Sequence, residues 1–332
     1  MNISVYSKRT IFISPLDWGM GHATRIVPLI KKLQQENEII LGISPSHEFF
    51  FEAIFPHLKK IELPSYQISY SRFLPVWLKL ILQAPRIFSV IRKENALLKK
   101  IISTHSVNLV ISDNRYGLYN NKVESIFITH QLIILSPVFS SWANWMNIKL
   151  LRRFQEVWVP DYEPRSERLS GNLSENKKVP IPVRFIGPQS RFVSGEVMRS
   201  KSIDLLILLS GIEPQRSLLE NMLLEKFKES KLNIVLVRGK EKVAATHKNI
   251  RIIDFADTNL LGDLIVNART VICRSGYSTL MDLHILGFRN LILVPTPGQT
   301  EQEYLARYWQ QNYKAKVIHQ RDLTAADLQL GG

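Results

Sequence analysis

Two stretches of this 332-residue chain carry side chains in an order that can do chemistry. The first is Asp17-Trp18-Gly19-Met20-Gly21-His22-Ala23-Thr24-Arg25, which follows an apolar run and opens a helical pattern. Glycines at a strand-to-helix turn let the main chain approach a ligand, and the free N–H groups of the helix start favour an anion or a developing negative charge. His22 stands at that helix start as a candidate general base. Its near-neutral pKa suits removal of a proton from a hydroxyl, and the helix dipole favours the neutral ring. The plainer alternative is a histidine that only caps the turn. Full GxGxxG spacing and an acidic ribose partner are missing, which disfavours a dinucleotide site of dehydrogenase type.

The second stretch is Cys273-Arg274-Ser275-Gly276-Tyr277-Ser278-Thr279-Leu280-Met281-Asp282, where a strand end bends through a glycine into a helix. Hydroxyls and unpaired N–H groups in that first turn suit a pyrophosphate. Asp282, one turn on, can accept hydrogen bonds from a vicinal diol such as ribose, or it is an ordinary solvent-facing helix acid. Past one more apolar run, Pro295-Thr296-Pro297-Gly298 delivers Gln302 and Glu303 to another helix start, where amide and carboxylate can bind neighbouring sugar hydroxyls.

These segments need strands to hold them. Apolar runs at Thr10–Ser14, Glu38–Ile43, Lys60–Leu63, Val107–Ser112, Ser125–Thr129 and Glu156–Val159 read as strands, with helical patterns at His22–Gln35 and Ser46–Phe55. A second series alternates strands at Ile203–Leu209, Asn233–Arg238, Ile250–Asp254, Thr270–Cys273 and Leu291–Val294 with helices at Gln215–Lys228, Leu260–Ala268, Ser278–Leu286 and Glu301–Gln311. That alternation implies two α/β, doubly wound parallel-sheet domains. The proline-rich stretch Pro160–Pro182 marks the expected boundary, giving domains 1–183 and 184–332. Ligands in such sheets bind at the carboxyl ends of the strands, where both motifs fall.

Composition narrows the partners. An apolar fraction of 45% with 22% charged residues excludes a disordered chain. The single cysteine, Cys273, excludes an intrachain disulfide and a multi-cysteine metal site. With no apolar signal core at the amino terminus, a cytoplasmic setting is expected. The net charge of +14 calls for an anionic partner: nucleic acid, a membrane surface or a phosphorylated small molecule. Between Ser65 and Lys100, Arg72, Lys79, Arg86, Arg92, Lys93, Lys99 and Lys100 interleave with Phe73, Leu74, Trp77, Leu82 and Phe88. This pattern fits an interfacial membrane helix, or equally a helix with a solvated basic face and a buried apolar one. The uncharged stretch Ser125–Ile148 carries His130, Gln131 and Asn144, which argue against a spanning helix.

The order and spacing of Arg274-Ser275-Gly276, Thr279, Asp282, Gly287, Val294-Pro295 and Gln302 resemble the donor half of GT-B glycosyltransferases, most closely family 28, which includes the MurG-type N-acetylglucosaminyltransferases. The resemblance implies two Rossmann-like domains facing a central cleft, the first for the acceptor and the second for a nucleotide-sugar. It implies a donor site of Arg274, Ser275, Gly276, Ser278, Thr279, Asp282 and Gln302, with Asp282 where the family has a ribose-binding Glu and Glu303 where it has a second Gln. Gly21 with His22 resembles the first glycine-rich loop, and His130 falls in a second loop of the acceptor domain. Arg191 resembles the arginine that meets donor phosphate, Ser210-Gly211 the turn beside the diphosphate, and Phe255-Ala256 the place where main-chain groups hold the base. Asp113 to Tyr116 is expected in the cleft.

The activity implied is inverting transfer of N-acetylglucosamine or another hexose from a UDP-sugar to an acceptor hydroxyl, lipid-linked or at a membrane surface of the cell envelope. His22, or a base near Asp113 or His130, takes the proton. Cations and helix starts hold the leaving group, so neither cofactor nor metal is expected. The protein would be cytoplasmic or peripheral on the inner face of the plasma membrane. A UDP-sugar epimerase on the same fold is the rival enzyme. A nucleic-acid-binding protein is the nonenzymatic rival, although no recognition motif for a specific nucleic acid is present.

Overall fold

A computed structural model describes residues 6–70, 76–193, 200–239 and 249–323. The chain divides into two compact units, one of Met1–Ile68 with Leu80–Gln189, the other of Ser69–Lys79 with Ser190–Gly332.

In chain order the first sheet and its helices are β1 (Thr10–Pro15), α1 (Met20–Leu33), β2 (Glu38–Ile43), α2 (Glu48–Ile54), β3 (Lys59–Glu62), α3 (Val76–His105), β4 (Leu109–Asp113), β5 (Glu124–Ile128), α4 (Ser140–Leu151), β6 (Glu156–Val159) and β7 (Val183–Phe185). The seven strands lie in the order β3-β2-β1-β4-β5-β6-β7, and every pairing is parallel. Because helices cover both faces of a parallel sheet, its central strands read as nearly continuous apolar runs. The central strand β4, Leu-Val-Ile-Ser-Asp, is accordingly buried at every position.

The second unit contains β8 (Ile203–Leu208), α5 (Gln215–Lys226), β9 (Ile234–Val237), β10 (Ile250–Ile253), α6 (Thr258–Asn267), β11 (Ala268–Cys273), α7 (Tyr277–Ile285), β12 (Leu291–Leu293), α8 (Thr300–Tyr313) and β13 (Lys316–Val317). Its six parallel strands run β10-β9-β8-β11-β12-β13. Leu205, Ile207, Leu236, Ile272 and Ile292 form its core with Leu219 and Leu223 of α5.

The units part at Gln189/Ser190, whereas the sequence expectation is a break after residue 183. Strand β7 explains the difference: Val183 pairs with Val157, so the sheet continues past the proline-rich loop. That loop is no linker. Buried Asp161 accepts hydrogen bonds from the main-chain N–H of Leu169 and Ser170, each at 2.9 Å, and the loop is folded around it.

The basic, apolar Ser65–Lys100 stretch becomes α3 from Val76 onward; Arg72, Phe73 and Leu74 lie outside the described residues. The two halves of this 30-residue helix differ in which side chains they bury. Toward its end Val90, Ile91, Glu94, Leu98 and Ile101 are buried while Arg92, Lys93, Lys99 and Lys100 face solvent. Toward its start Ile81 and Leu82 are 48% and 62% exposed. Among the described residues no helix is long and apolar enough to cross a membrane. Gly117 lets α3 close onto the loop after β4, since a Cβ there would meet the Ile91 carbonyl oxygen at 2.5 Å.

Candidate functional site

In each sheet the strand order reverses once, between β1 and β4 and between β8 and β11. Such a switch point opens a crevice at the carboxyl ends of the strands. Pro15 ends β1 in register with Asp113 of β4, and Leu208 ends β8 in register with Cys273 of β11. The chemistry-bearing segments leave the sheets at these two places.

At the first, His22, Asp113 and His130 are drawn together by Arg25, whose role the sequence leaves open. His22 and Arg25 stand one turn apart on α1 and so share a face. His22 Nδ1 is 3.1 Å from Asp113 Oδ2. Arg25 Nε donates to the same oxygen at 3.0 Å, and its Nη2 donates to Oδ1. Arg25 Nη1 lies 3.0 Å from His130 Nδ1. Since a guanidinium only donates, His130 accepts there. His130 is 6% exposed and accepts from Arg25.

Electrostatics sort the roles. Burial works to raise the pKa of Asp113, but Arg25 and His22 overcome it and hold the carboxyl at about 2. Its contribution to stability is therefore in place above the ordinary value of 3.8 and is lost as pH falls through about 2. His22 is pushed below the ordinary histidine value by burial first and Arg25 second, against the pull of Asp113. The ring is neutral at pH 7, Nδ1–H points to Asp113, and Nε2 has no partner among the described residues. An unprotonated, oriented Nε2 is what a general base requires.

The loop that carries His22 is pinned from below. Gly19 has φ +87°, the left-handed region that favours glycine. Its carbonyl oxygen is 3.2 Å from Nε2 of buried His47, which burial pushes down to about 4 and so keeps neutral. Asp17 Oδ2 accepts from Ser65 Oγ at 2.6 Å and from the Tyr66 N–H at 3.1 Å. Arg115, expected in the cleft with Asp113, is corrected by the structure to a fully buried brace. It donates to the Pro15 carbonyl at 2.7 Å, to Glu94 Oε1 at 2.6 Å, to the Pro64 carbonyl at 3.1 Å and to Ser44 Oγ. His47 and Glu94 carry no sequence signal of such work, since a lone polar residue in an apolar pattern does not reveal its partner.

At the second switch point Ser210 and Gly211 follow β8, and Gly211 has φ +104° with nothing within 4 Å of a built Cβ. Gly276 precedes α7 with the same open space above it and no side-chain cap. The first turn of α7 thus presents its main chain toward an open approach, with Ser278 and Thr279 half-buried beside it. Asp282 is 7% exposed. It accepts from Ser190 Oγ at 2.6 Å and from Arg191 Nε at 3.3 Å. Burial pushes its carboxyl above the ordinary value while Arg191 and Ser190 pull it back. The terminal nitrogens of Arg191 carry no other bond among the described residues, so they remain for a phosphate. Ser190, which fixes Asp282, was invisible without tertiary contact.

Several donor candidates take part in holding the loops. Arg274 is fully buried and donates to the main-chain oxygens of Val294, Pro295 and Gln215 and to Gln320 Oε1. Ser275 Oγ donates to the Gln302 carbonyl at 2.7 Å, tying the two motifs together. Arg274 and Ser275 are framework. Gln302 Oε1 accepts from Thr296 N at 2.8 Å, leaving its Nε2 to donate. Glu303 Oε1 accepts from Gly298 N at 2.9 Å, which closes the Pro-Gly turn. Phe255 is half-buried and Ala256 is 4% exposed after β10, so only main chain and the phenyl ring are on offer there. Among the described residues no three His, Cys, Asp or Glu side chains gather as metal ligands.

Residues 209–331 match the model of the glycosyltransferase family 28 C-terminal domain. No curated protein matches the chain. Among solved structures, the glycotransferase of kitacinnamycin matches with a TM-score of 0.67 at 14% identity, covering 97% of this chain and 89% of that one. A UDP-glucosyltransferase from Polygonum tinctorium capable of glucosylating indoxyl gives 0.63 at 13% identity, over 97% and 88%. MurG from Acinetobacter baumannii gives 0.55 at 12% identity, over 96% and 87%. At such identities the likeness establishes the fold, and the fold is GT-B. The domain match and the fold together support the family 28 resemblance and a glycosyltransferase enzyme.

Proposed function

We propose that this GT-B glycosyltransferase moves N-acetylglucosamine or another hexose from a UDP-sugar to an acceptor hydroxyl, with inversion and without a metal. The observation that carries the reading is the His22–Asp113 pair, 3.1 Å apart, with Nε2 of His22 left open. The acceptor hydroxyl gives its proton to Nε2 while its oxygen bonds to the anomeric carbon. The bond from that carbon to the diphosphate oxygen breaks in the same displacement, which inverts the configuration. Asp113 stabilises the imidazolium that forms. Arg191, the main chain at Gly211 and the amino end of α7 after Gly276 receive the negative charge on the departing diphosphate, the work a metal would otherwise do. Asp282 accepts from the ribose hydroxyls, and Gln302 and Glu303 meet the sugar.

Calorimetric titration with UDP in the presence of EDTA tests the donor half. Wild-type protein is expected to bind, and Asp282→Ala to bind on the order of tenfold more weakly, the loss of a buried carboxylate that accepts two hydroxyls. No preference of UDP over GDP and ADP, or no effect of the substitution, would remove the assignment. Donor turned over with no acceptor present would point to the epimerase.

The acceptor is proposed to be lipid-linked or presented at the inner face of the plasma membrane. Two exposed apolar surfaces on the first unit support this. Ile81, Leu82 and Phe88 of α3 are 48%, 62% and 38% exposed, and Phe139, Trp142 and Trp145 around α4 are 71%, 57% and 55% exposed. Both helices pack about Tyr116, which joins the cluster of Ile87 and Ile91 and donates to Asn147 of α4 at 2.8 Å. Lys149 sits 5.1 Å from the Trp145 ring. Exposed tryptophans with a lysine beside one of them suit a lipid interface with anionic headgroups. Sedimentation with anionic vesicles is expected to recover the wild-type protein and to lose most of a Trp142→Ser, Trp145→Ser variant. Equal recovery of the two proteins would exclude this surface.

A further inference from the structure

We infer that a pocket on the outer side of the first unit binds a phosphate ester, separately from the site of His22. It is a half-open notch of about 260 Å³ between Ile91, Arg92, Asn95, Ala96 and Lys99 of α3 and, opposite, Tyr119 and Arg153. Arg92, Ala96 and Lys99 follow at helical spacings of four and three residues, so they form one stripe. Ala96 puts only a methyl at the centre of that stripe, which opens the notch. The flanking residues put a cation at each end.

The far wall is pre-arranged. Asn95 Nδ2 donates to the main-chain oxygens of Gly117 and Tyr119 at 3.1 and 2.8 Å, which fixes the Tyr119 loop against the helix. The Arg153 guanidinium lies 5.1 Å from the Tyr119 ring centre, which holds its planar fork beside the notch. Three cations thus line one pocket that contains no carboxylate. None of Arg92, Lys99 and Arg153 is in a salt bridge among the described residues. Glu94, their nearest acid along α3, is buried and committed to Arg115 and Tyr66. Like charges sharing a concave surface repel, and a doubly charged phosphate relieves them while accepting from both guanidinium groups and the ammonium.

The position separates this pocket from the catalytic end. Arg153 shortly precedes β6, Lys99 lies in the last turns of α3 before β4, and Tyr119 lies between β4 and β5, so the pocket sits beside the β4–β5 loop and shares no lining residue with the site of His22. His22 and Asp113 stand at the carboxyl ends of the strands. The same phosphate chemistry comes from two sources, a soluble phosphate monoester or the headgroup of an anionic lipid.

Two arms on the full chain distinguish them: calorimetry with glycerol 3-phosphate, and sedimentation with phosphatidic acid vesicles against phosphatidylcholine vesicles. Each is run on wild type, Arg92→Gln with Lys99→Gln, Ala96→Leu and His22→Ala. Ala96→Leu fills the notch without changing charge, at an exposed helix position where leucine is tolerated. Binding in either arm that falls on the order of tenfold in the first two variants and is retained in His22→Ala supports the site and names its source. Binding that ignores Ala96→Leu while following net charge overturns it, because a diffuse field then explains the affinity. Absence of binding in both arms overturns it as well.

Discussion

Replacing His22 by alanine is expected to lower kcat on the order of a hundred- to ten-thousand-fold, the span of a positioned general base, with UDP affinity within about twofold of wild type. The proposed base stands in the first unit and the proposed nucleotide contacts in the second, so binding and chemistry are expected to separate in this variant. The pH profile is a second readout. Burial and Arg25 hold His22 below the ordinary histidine value, so kcat/KM is flat around neutrality and falls only as acid protonates Nε2. Asp113→Asn removes the one nearby group that favours the protonated ring and places that fall at still lower pH. It also leaves Nδ1 without its anionic partner, which slows turnover at every pH. Stopped or quenched turnover assays across pH decide the matter; His22→Ala with the wild-type kcat would show that another group takes the proton.

The second large effect is on stability. Arg115→Met is expected to destabilise the first unit by about 3–5 kcal/mol, because it strands Glu94 as a buried, unpaired carboxylate. Burial already pushes the Glu94 carboxyl up, and Arg115 is the first influence pulling it down. Without that guanidinium the side chain takes up a proton on folding. Adding Glu94→Leu is expected to restore much of the loss, since an apolar pair in place of a buried ion pair is near neutral. Urea unfolding followed by tryptophan fluorescence gives the comparison. A single Arg115→Met variant within about 1 kcal/mol of wild type would mean that the brace under the Gly19 loop carries little of the fold.

How far the sequence could be read depended on the range of the interaction involved. Buried parallel strands leave unbroken apolar runs such as Leu109 to Ile111 and Leu205 to Leu208, so both sheets are visible without coordinates. Strand β7 is not, because Val183–Phe185 is short and follows a proline-rich loop that reads as a linker. The loop is ordered by Asp161, whose partners are eight and nine residues away.

The candidate site divides along the same line. Residue types at a strand end and a helix start, His22 after Gly21 or Asp282 after Gly276, were enough to mark where chemistry was to be expected, since a helix start turns its N–H groups outward. Which polar residue faces a ligand and which one serves as a strut depends on partners far along the chain. Arg274 and Arg191 look alike in sequence; the first is sealed under four acceptors, and the terminal nitrogens of the second have no partner among the described residues.

By itself, then, the sequence determined two doubly wound α/β units and the loops on which their chemistry sits, because periodicity and turn chemistry act over a few residues. Only the tertiary structure decided that Asp113 orients His22, that Arg25 joins them to His130, and that Ser190 and Arg191 fix Asp282. Those bonds span 88 to 105 residues around the histidine and 91 and 92 residues around Asp282, separations that side-chain spacing in a single sequence does not encode.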